Sequence, residues 1–212
     1  MDAWNMIAMG FGPPDRHYER LEVVPGDYFR HLERDEIFPG SEAPIEVDLG
    51  CGDGGFLLSM ARHFPGRNLL GVERLLGRVR KVCRKAERES LENVRVLRLE
   101  SAYTIGWLLP DACVARLHLL FPDPWPKKRH HKNRLVNPEN VDAIARVLVD
   151  GGEFLFKTDH AGYFESAMKI IRSLDAFSEI GWDDAEFYPP TDFEREWTEQ
   201  GRPIHKARFR KR

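Results

Sequence analysis

Residues 45–63 leave this chain little freedom of architecture. Ile45-Glu46-Val47-Asp48-Leu49 reads as a strand, Gly50-Cys51-Gly52-Asp53-Gly54-Gly55 as a tight turn, and residues 56–63 as the start of a helix. The same alternation then repeats. Residues 69–72 form a short apolar strand ending at Glu73. A long helix over 74–88 follows, with Leu75, Leu76, Val79, Val82, Cys83 and Ala86 as its apolar stripe. Further strands are expected at 94–99, ending at Glu100-Ser101, at 114–121 and at 153–157. Helices are expected at 138–149, stopped by Asp150-Gly151-Gly152, and at 163–174. Two weaker strands near 177–182 and 204–209 enclose an irregular segment. Strands alternating with helices imply an α/β fold, a doubly wound and mostly parallel sheet covered on both faces. Residues 1–40 are expected to be an amino-terminal arm and a short helix, the latter over 27–37 with Tyr28, Leu32 and Ile37 on one side. Residues 41–212 are expected to form the single domain.

Composition excludes several classes. Apolar residues are 42% and charged residues 31% of 212, and no run approaches the ~18 apolar residues of a membrane span. Residues 1–14 lack a basic stretch followed by an apolar core, so the expected location is the cytoplasm. Cys51, Cys83 and Cys113 show no C-x-x-C spacing, which argues against a disulfide framework and a zinc site. His130-His131 is an adjacent pair with no further ligand at suitable spacing, so no metal is expected.

The net charge is −2, yet the positive charge is clustered. Residues 127–134 carry five Lys/Arg and two His without an acid, residues 202–212 six Lys/Arg, and residues 74–88 seven. The last group reads as a solvated helix face. The first two are expected to make local phosphate contacts around a site. That site centres on Phe121-Pro122-Asp123-Pro124-Trp125-Pro126. The prolines lack an N–H and fix φ, so Asp123 is expected to be held extended at a strand end. Strand ends are where open α/β sheets bind ligands.

Gly50, Gly52 and Gly55 match G-x-G-x-x-G, and Glu73 follows about 20 residues later, so a dinucleotide must be considered. Asp48 argues otherwise, because a carboxylate at that strand end repels a pyrophosphate. It suits a ligand carrying an ammonium and a sulfonium, and S-adenosylmethionine has both. The glycine turn then allows close backbone approach, Glu73 accepts the ribose hydroxyls, and Glu100 or Ser101 meets the adenine.

Taken with Gly71-Val72-Glu73, the run from Phe121 through Lys127-Lys128-Arg129-His130, Phe156-Lys157-Thr158-Asp159 and Thr191-Asp192-Phe193-Glu194, the chain resembles the bacterial tRNA (guanine-N(7)-)-methyltransferases over roughly residues 45–208. The resemblance implies a class I S-adenosylmethionine-dependent methyltransferase, Rossmann-like, with about seven strands and an antiparallel carboxy-terminal strand. It implies methyl transfer to N7 of guanine 46 in the tRNA variable loop, by a monomer or homodimer. Cofactor contacts carry over to Asp48, Glu73, Glu100 and Asp123, and substrate contacts to Lys127, Asp159, Thr191 and Glu194. Four positions depart from the family pattern: Asp48 stands for the usual Glu, Glu100 for Asp or Asn, Asn133 for Arg and His160 for Asn.

The chemistry asks little of proton transfer, since N7 carries an in-plane lone pair and no proton. Aligned reactants and fixed charge are the main demands. Asp123 is the candidate catalytic group, serving cofactor and base together. Trp125 either stacks on the base or seals the loop. Asp159 or Glu194 accepts from the pairing edge of guanine, and Lys127 donates to its carbonyl oxygen. Thr191-x-x-Glu194 has a second reading as a helix capping box. Two other functional readings remain open: a methyltransferase for another RNA, a protein or a small molecule, and a non-catalytic RNA-binding module.

Overall fold

The computed structural model describes residues 20–212. Eight strands form one sheet: β1 (Glu22–Val23), β2 (Ile45–Leu49), β3 (Asn68–Val72), β4 (Val94–Leu97), β5 (Val114–Leu120), β6 (Leu148–Thr158), β7 (Phe177–Ile180) and β8 (His205–Lys211). Their order is β1-β4-β3-β2-β5-β6-β8-β7. The pairs from β1 through β6 are parallel, and β8 runs antiparallel to both β6 and β7. The helices are α1 (Arg34–Ile37), α2 (Gly55–His63), α3 (Leu76–Arg88), α4 (Pro138–Val147), α5 (Ala161–Arg172) and α6 (Asp192–Glu199). The chain reverses direction in the sheet between β2 and β5, the switch point where such folds bind ligands.

Strand periodicity decides what each face carries. Ile45, Val47 and Leu49, Leu117 and Leu119, Phe154 and Phe156, and Ala207 and Phe209 all enter one core, against α4, α5 and the helical turns over 101–108. On the other face, α2 and α3 cover β3 and β4 with Phe56, Leu57, Met60, Val79, Val82 and Ala86. Between β2 and β8 that second face is charged: Glu46 lies beside Arg116, Arg116 beside Glu153, and Glu153 beside Arg210. A roof formed by residues 182–190 covers it, closing Arg116 and Arg208 onto Glu186 at 2.6 and 3.2 Å. Buried ions are tolerated here because each finds an opposite charge.

Several elements differ from expectation. The helix expected over 27–37 shrinks to Arg34–Ile37. Leu32 and Ile37 are buried while Tyr28 is exposed, so the three do not share an inward stripe. Asp150-Gly151-Gly152 does not form a helix stop outside the sheet. It lies inside β6, which starts at Leu148 directly after α4, and the register of β6 on β5 shifts there. Glycine makes that irregularity possible, since a Cβ at Gly152 would come within 2.8 Å of the Val149 carbonyl. Leu75 and Leu76, expected on the apolar stripe of the long helix, are exposed at its start. The sheet has one strand beyond the expected seven because Glu22–Val23 pairs with β4 at the edge. Most of the expected amino-terminal arm, residues 1–19, lies outside the described residues.

Candidate active site

Five parallel strands end on one edge, and an acid follows or closes each: Asp48 on β2, Glu73 after β3, Glu100 after β4, Asp123 after β5 and Asp159 after β6. Asp48 is 4% exposed, and among the described residues nothing donates a hydrogen bond to it. Burial, followed by repulsion from Glu73, pushes its carboxyl up to about 7. Such a group calls for a cation from outside the protein. The turn beside it is open. Gly50 and Gly52 adopt φ of 78° and 55°, and a Cβ at Gly50 would meet nothing within 4 Å. Gly54 is needed for packing instead, since a Cβ there would lie 2.8 Å from Val82.

Glu73 is buried, and its Oε1 accepts from the Leu75 amide at 2.8 Å, which fixes its second oxygen toward the edge near Arg78. The exposed Leu75 and Leu76 give an apolar rim beside it. Glu100 caps the short helical turn Ser101–Tyr103 by accepting from the Tyr103 amide at 2.8 Å. Its carboxylate is therefore held locally, and Ser101 stands next to it, half-buried. A buried carboxylate awaiting a cation, an open glycine turn, a neighbouring acid and an apolar rim form a donor set that fits S-adenosylmethionine.

The Asp123 loop is tightly built. Phe121 and Trp125 both take positive φ, 54° and 42°, and each precedes a proline, a costly combination for bulky residues. Arg134 holds the loop in place. It is 5% exposed, donates to the Pro124 carbonyl and to Ser166 Oγ at 2.9 Å each, and lies 4.8 Å from the centre of the Tyr163 ring. Arg134 is thus removed from the basic run, and Lys127, Lys128, Arg129 and Lys132 remain exposed. Asp123 is exposed and accepts no hydrogen bond among the described residues. Trp125 is half-buried with its ring centre 5.7 Å from that of His130, and Lys128–Asn133 coils into a 3-10 turn.

Two predicted substrate residues, Thr191 and Glu194, meet at the start of α6, and a third, Asp159, follows β6. Thr191 caps α6 by accepting from the Glu194 amide at 3.0 Å. The Glu194 carboxylate does not complete a capping box. Its Oε1 instead accepts from Lys157 Nζ at 2.7 Å, while its Oε2 is buried with no partner among the described residues. Asp159 pairs with Arg202 at 3.0 Å. The start of α6 lies over the glycine turn, because a Cβ on Gly55 would come within 3.1 Å of Asp192.

Lys157 was not foreseen as a site residue. It is buried, with its ammonium 5.0 Å from the Trp182 ring centre and 4.9 Å from that of Tyr188. Burial lowers its pKa and Glu194 opposes that shift. A lysine directly after the apolar run Phe154-Leu155-Phe156 was the available signal. Tyr188 continues inward, 2.8 Å from His118 Nδ1, while His118 Nε2 lies 3.1 Å from Glu46. Burial lowers the His118 pKa, so the neutral ring accepts from the tyrosine and donates to Glu46. Burial would raise the Glu46 carboxyl, but His118, Arg116 and Arg67 together hold it at about 2.

The second expected phosphate cluster is not available as such. Arg208 and Arg210 bind Glu153 at 2.7 and 3.0 Å, Arg202 binds Asp159, Lys206 binds Asp184, Lys211 donates to the Leu148 carbonyl and Arg212 to Ser178. Being in β8 puts these side chains beside the acids of β6 and the roof, which sequence position does not reveal.

Residues 42–207 match a family model described as "Putative methyltransferase". A tRNA (guanine-N(7)-)-methyltransferase of Azorhizobium caulinodans is 38% identical over 66% of this chain and 61% of its own length. One from Halorhodospira halophila is 36% identical over 85% of this chain and 80% of its own. Among solved structures, the 16S rRNA methyltransferase KamB superposes with a TM-score of 0.61 over 91% of this chain and 97% of that one. At 18% identity this shows the fold alone.

Proposed function

Since the chain belongs to the family of tRNA (guanine-N(7)-)-methyltransferases, we propose that it transfers a methyl group from S-adenosylmethionine to N7 of guanine 46 in the variable loop of tRNA. One observation carries the site assignment. A buried carboxylate with no hydrogen-bond donor among the described residues, at the glycine turn, and an exposed carboxylate leading into a basic loop stand on neighbouring strands, β2 and β5. The first suits a cationic methyl donor and the second a base attached to a polyanion.

S-adenosylmethionine, when bound, supplies a methyl activated by a sulfonium. Asp48 would hold the cationic end, Gly50 and Gly52 allow close approach, Glu73 would accept the ribose hydroxyls, and Ser101 would take the adenine, because Glu100 is committed to its own turn. Asp123 is the proposed catalytic residue. Its carboxylate, which accepts no hydrogen bond among the described residues, would favour the positive charge that develops on guanine as N7 is alkylated. Glu194 Oε2 would accept from the pairing edge, with Asp159 beside it and Thr191 fixing the turn. Lys127 would donate to the carbonyl oxygen of the base. Its neighbours Lys128, Arg129 and Lys132 would hold phosphates, which position RNA without reading sequence. With no helix among the described residues long and apolar enough to cross a membrane, the proposed setting is the cytoplasm, where tRNA is.

The test uses unmodified tRNA transcripts with guanine or adenine at position 46. Wild-type enzyme is expected to methylate only the first, and Asp123→Ala to lose about 100-fold or more in kcat. Equal transfer to both transcripts would refute the position, and full activity of Asp123→Ala would refute its role.

A further inference from the structure

We infer that the exposed face of α3 is a second phosphate-contact surface for the tRNA, in place of the carboxy-terminal basic cluster. This rests on the tRNA reading above and adds to it a part of the molecule that reading does not use. Residues 74–88 carry seven Lys/Arg against the single acid Glu87. Val79, Val82, Cys83 and Ala86 take the buried side of α3, so the helix directs the basic residues outward.

Partnering separates this cluster from the one on β8. Every Lys and Arg of 202–212 has an internal partner. On α3 and its approach, Arg74, Arg80, Arg84 and Arg88 have no acid within ion-pair distance among the described residues. Lys81, Arg84, Lys85 and Arg88 alone line a concavity of about 480 Å³. Four cations at this spacing repel one another, and a polyanion laid along the groove removes that repulsion. The groove covers roughly 10 Å of helix axis, so it can meet more than one phosphate.

The surface is also continuous with the site. Lys81 pairs with Asp53 of the glycine turn, Lys85 donates to the Asp53 carbonyl at 2.9 Å, and Arg78 lies 3.7 Å from Glu73. Three residues separate the end of β3 from the helix, and only β2 separates β3 from β5. The start of α3 and the exposed lysines after Asp123 therefore open on one edge, with strand ends roughly 10 Å apart. Because α3 returns toward the opposite edge, the groove at 81–88 begins about 8 Å and ends about 18 Å along its axis, a span that an RNA backbone leaving the Asp123 loop can cover. RNA fits better than an acidic peptide, because the groove is lined only by Lys and Arg, whose stems and charged ends carry no side chain that would select a peptide sequence, and its two arginines have no acid within ion-pair distance among the described residues.

The test is equilibrium binding of unmodified tRNA across a salt series, with Arg84→Gln/Arg88→Gln and the charge-keeping Arg84→Lys/Arg88→Lys. The glutamine pair is expected to weaken binding on the order of 10-fold near 0.15 M salt and to reduce the slope of log K against log salt by about two. The lysine pair should keep the wild-type slope. S-adenosylmethionine affinity, read by calorimetry, should match wild type in both and so report an intact fold. An unchanged slope and affinity in the glutamine pair would overturn the inference. Because binding is the readout, wild-type protein that binds tRNA without methylating it would contradict the assigned reaction while the surface is still judged. An acidic peptide competing as well as RNA would overturn the choice of partner.

Discussion

In the proposed site, Asp48 is a single buried residue that would tie pH to ligand binding. Its carboxyl titrates at about 7 because burial and Glu73 both disfavour the charge. A raised carboxyl pKa means that the ligand-free fold loses stability from this group as pH rises from about 4 to 7. A cationic ligand reverses the preference, since it binds the ionised form. S-adenosylmethionine affinity should therefore fall roughly tenfold per unit below pH 7 and level off above it. Asp48→Asn should bind weakly and without that dependence, and a calorimetric series from pH 5.5 to 7.5 would check both. Lys157 acts at one remove, through Glu194. Lys157→Met leaves that carboxylate buried beside Tyr188 and Trp182 without its cation. The expected result is a loss of about 10- to 100-fold in kcat/KM for tRNA. A new acid limb in the pH profile and partial rescue by Lys157→Arg would distinguish it from a mere packing defect. The place of Asp48 near a strand end was legible in the sequence because that signal is local, a carboxylate two residues before a glycine turn. Lys157 was not, because its partners come from residues 182–194, on the far side of α5 and β7.

At the scale of elements, the loop from Phe121 to Arg134 illustrates a strained backbone held by a distant side chain. The prolines were legible, and so was an exposed Asp123. The left-handed Phe121 and Trp125 were not, since no local preference favours bulky residues there. Arg134 supplies the restraint, and in the sequence it is indistinguishable from its basic neighbours. Arg134→Met should cost about 2 kcal/mol, chiefly by leaving the Pro124 carbonyl and Ser166 unpaired. A shift in the urea midpoint would check this, and turnover should fall with it while S-adenosylmethionine still binds. Equal stability would show that the loop holds itself. The helix expected over 27–37 failed for a related reason. Leu32 and Ile37 are buried as the pattern suggested, but the segment reaches those positions as extended chain and one turn, with the Leu32 amide bonded to the Leu108 carbonyl.

Across the whole molecule, the sheet was readable because alternation of strand and helix is a short-range signal repeated along the chain. The fate of charge was not, because a sequence counts charges and a fold pairs them. Two basic clusters of similar composition thus part ways: β8 brings one beside Glu153, and the solvent-facing side of α3 leaves Arg80, Arg84 and Arg88 without an acid among the described residues. The same pairing makes one sheet face ionic under a roof of residues 182–190. Glu46, held at about 2, contributes stability that is complete above about pH 5 and is lost as pH falls toward 2. Acid unfolding of Glu46→Gln should accordingly begin from a lower stability at pH 7 and show a shallower fall below pH 5. The proposed reaction requires the carboxyl edge of the sheet to hold a cationic methyl donor beside a bound RNA base. The most direct measurement is nucleoside analysis of unmodified tRNA after incubation with the protein and labelled S-adenosylmethionine. Label in 7-methylguanosine, from a single variable-loop position, is the predicted result. Label in any other nucleoside, or none in tRNA while the protein still binds S-adenosylmethionine, would contradict the account.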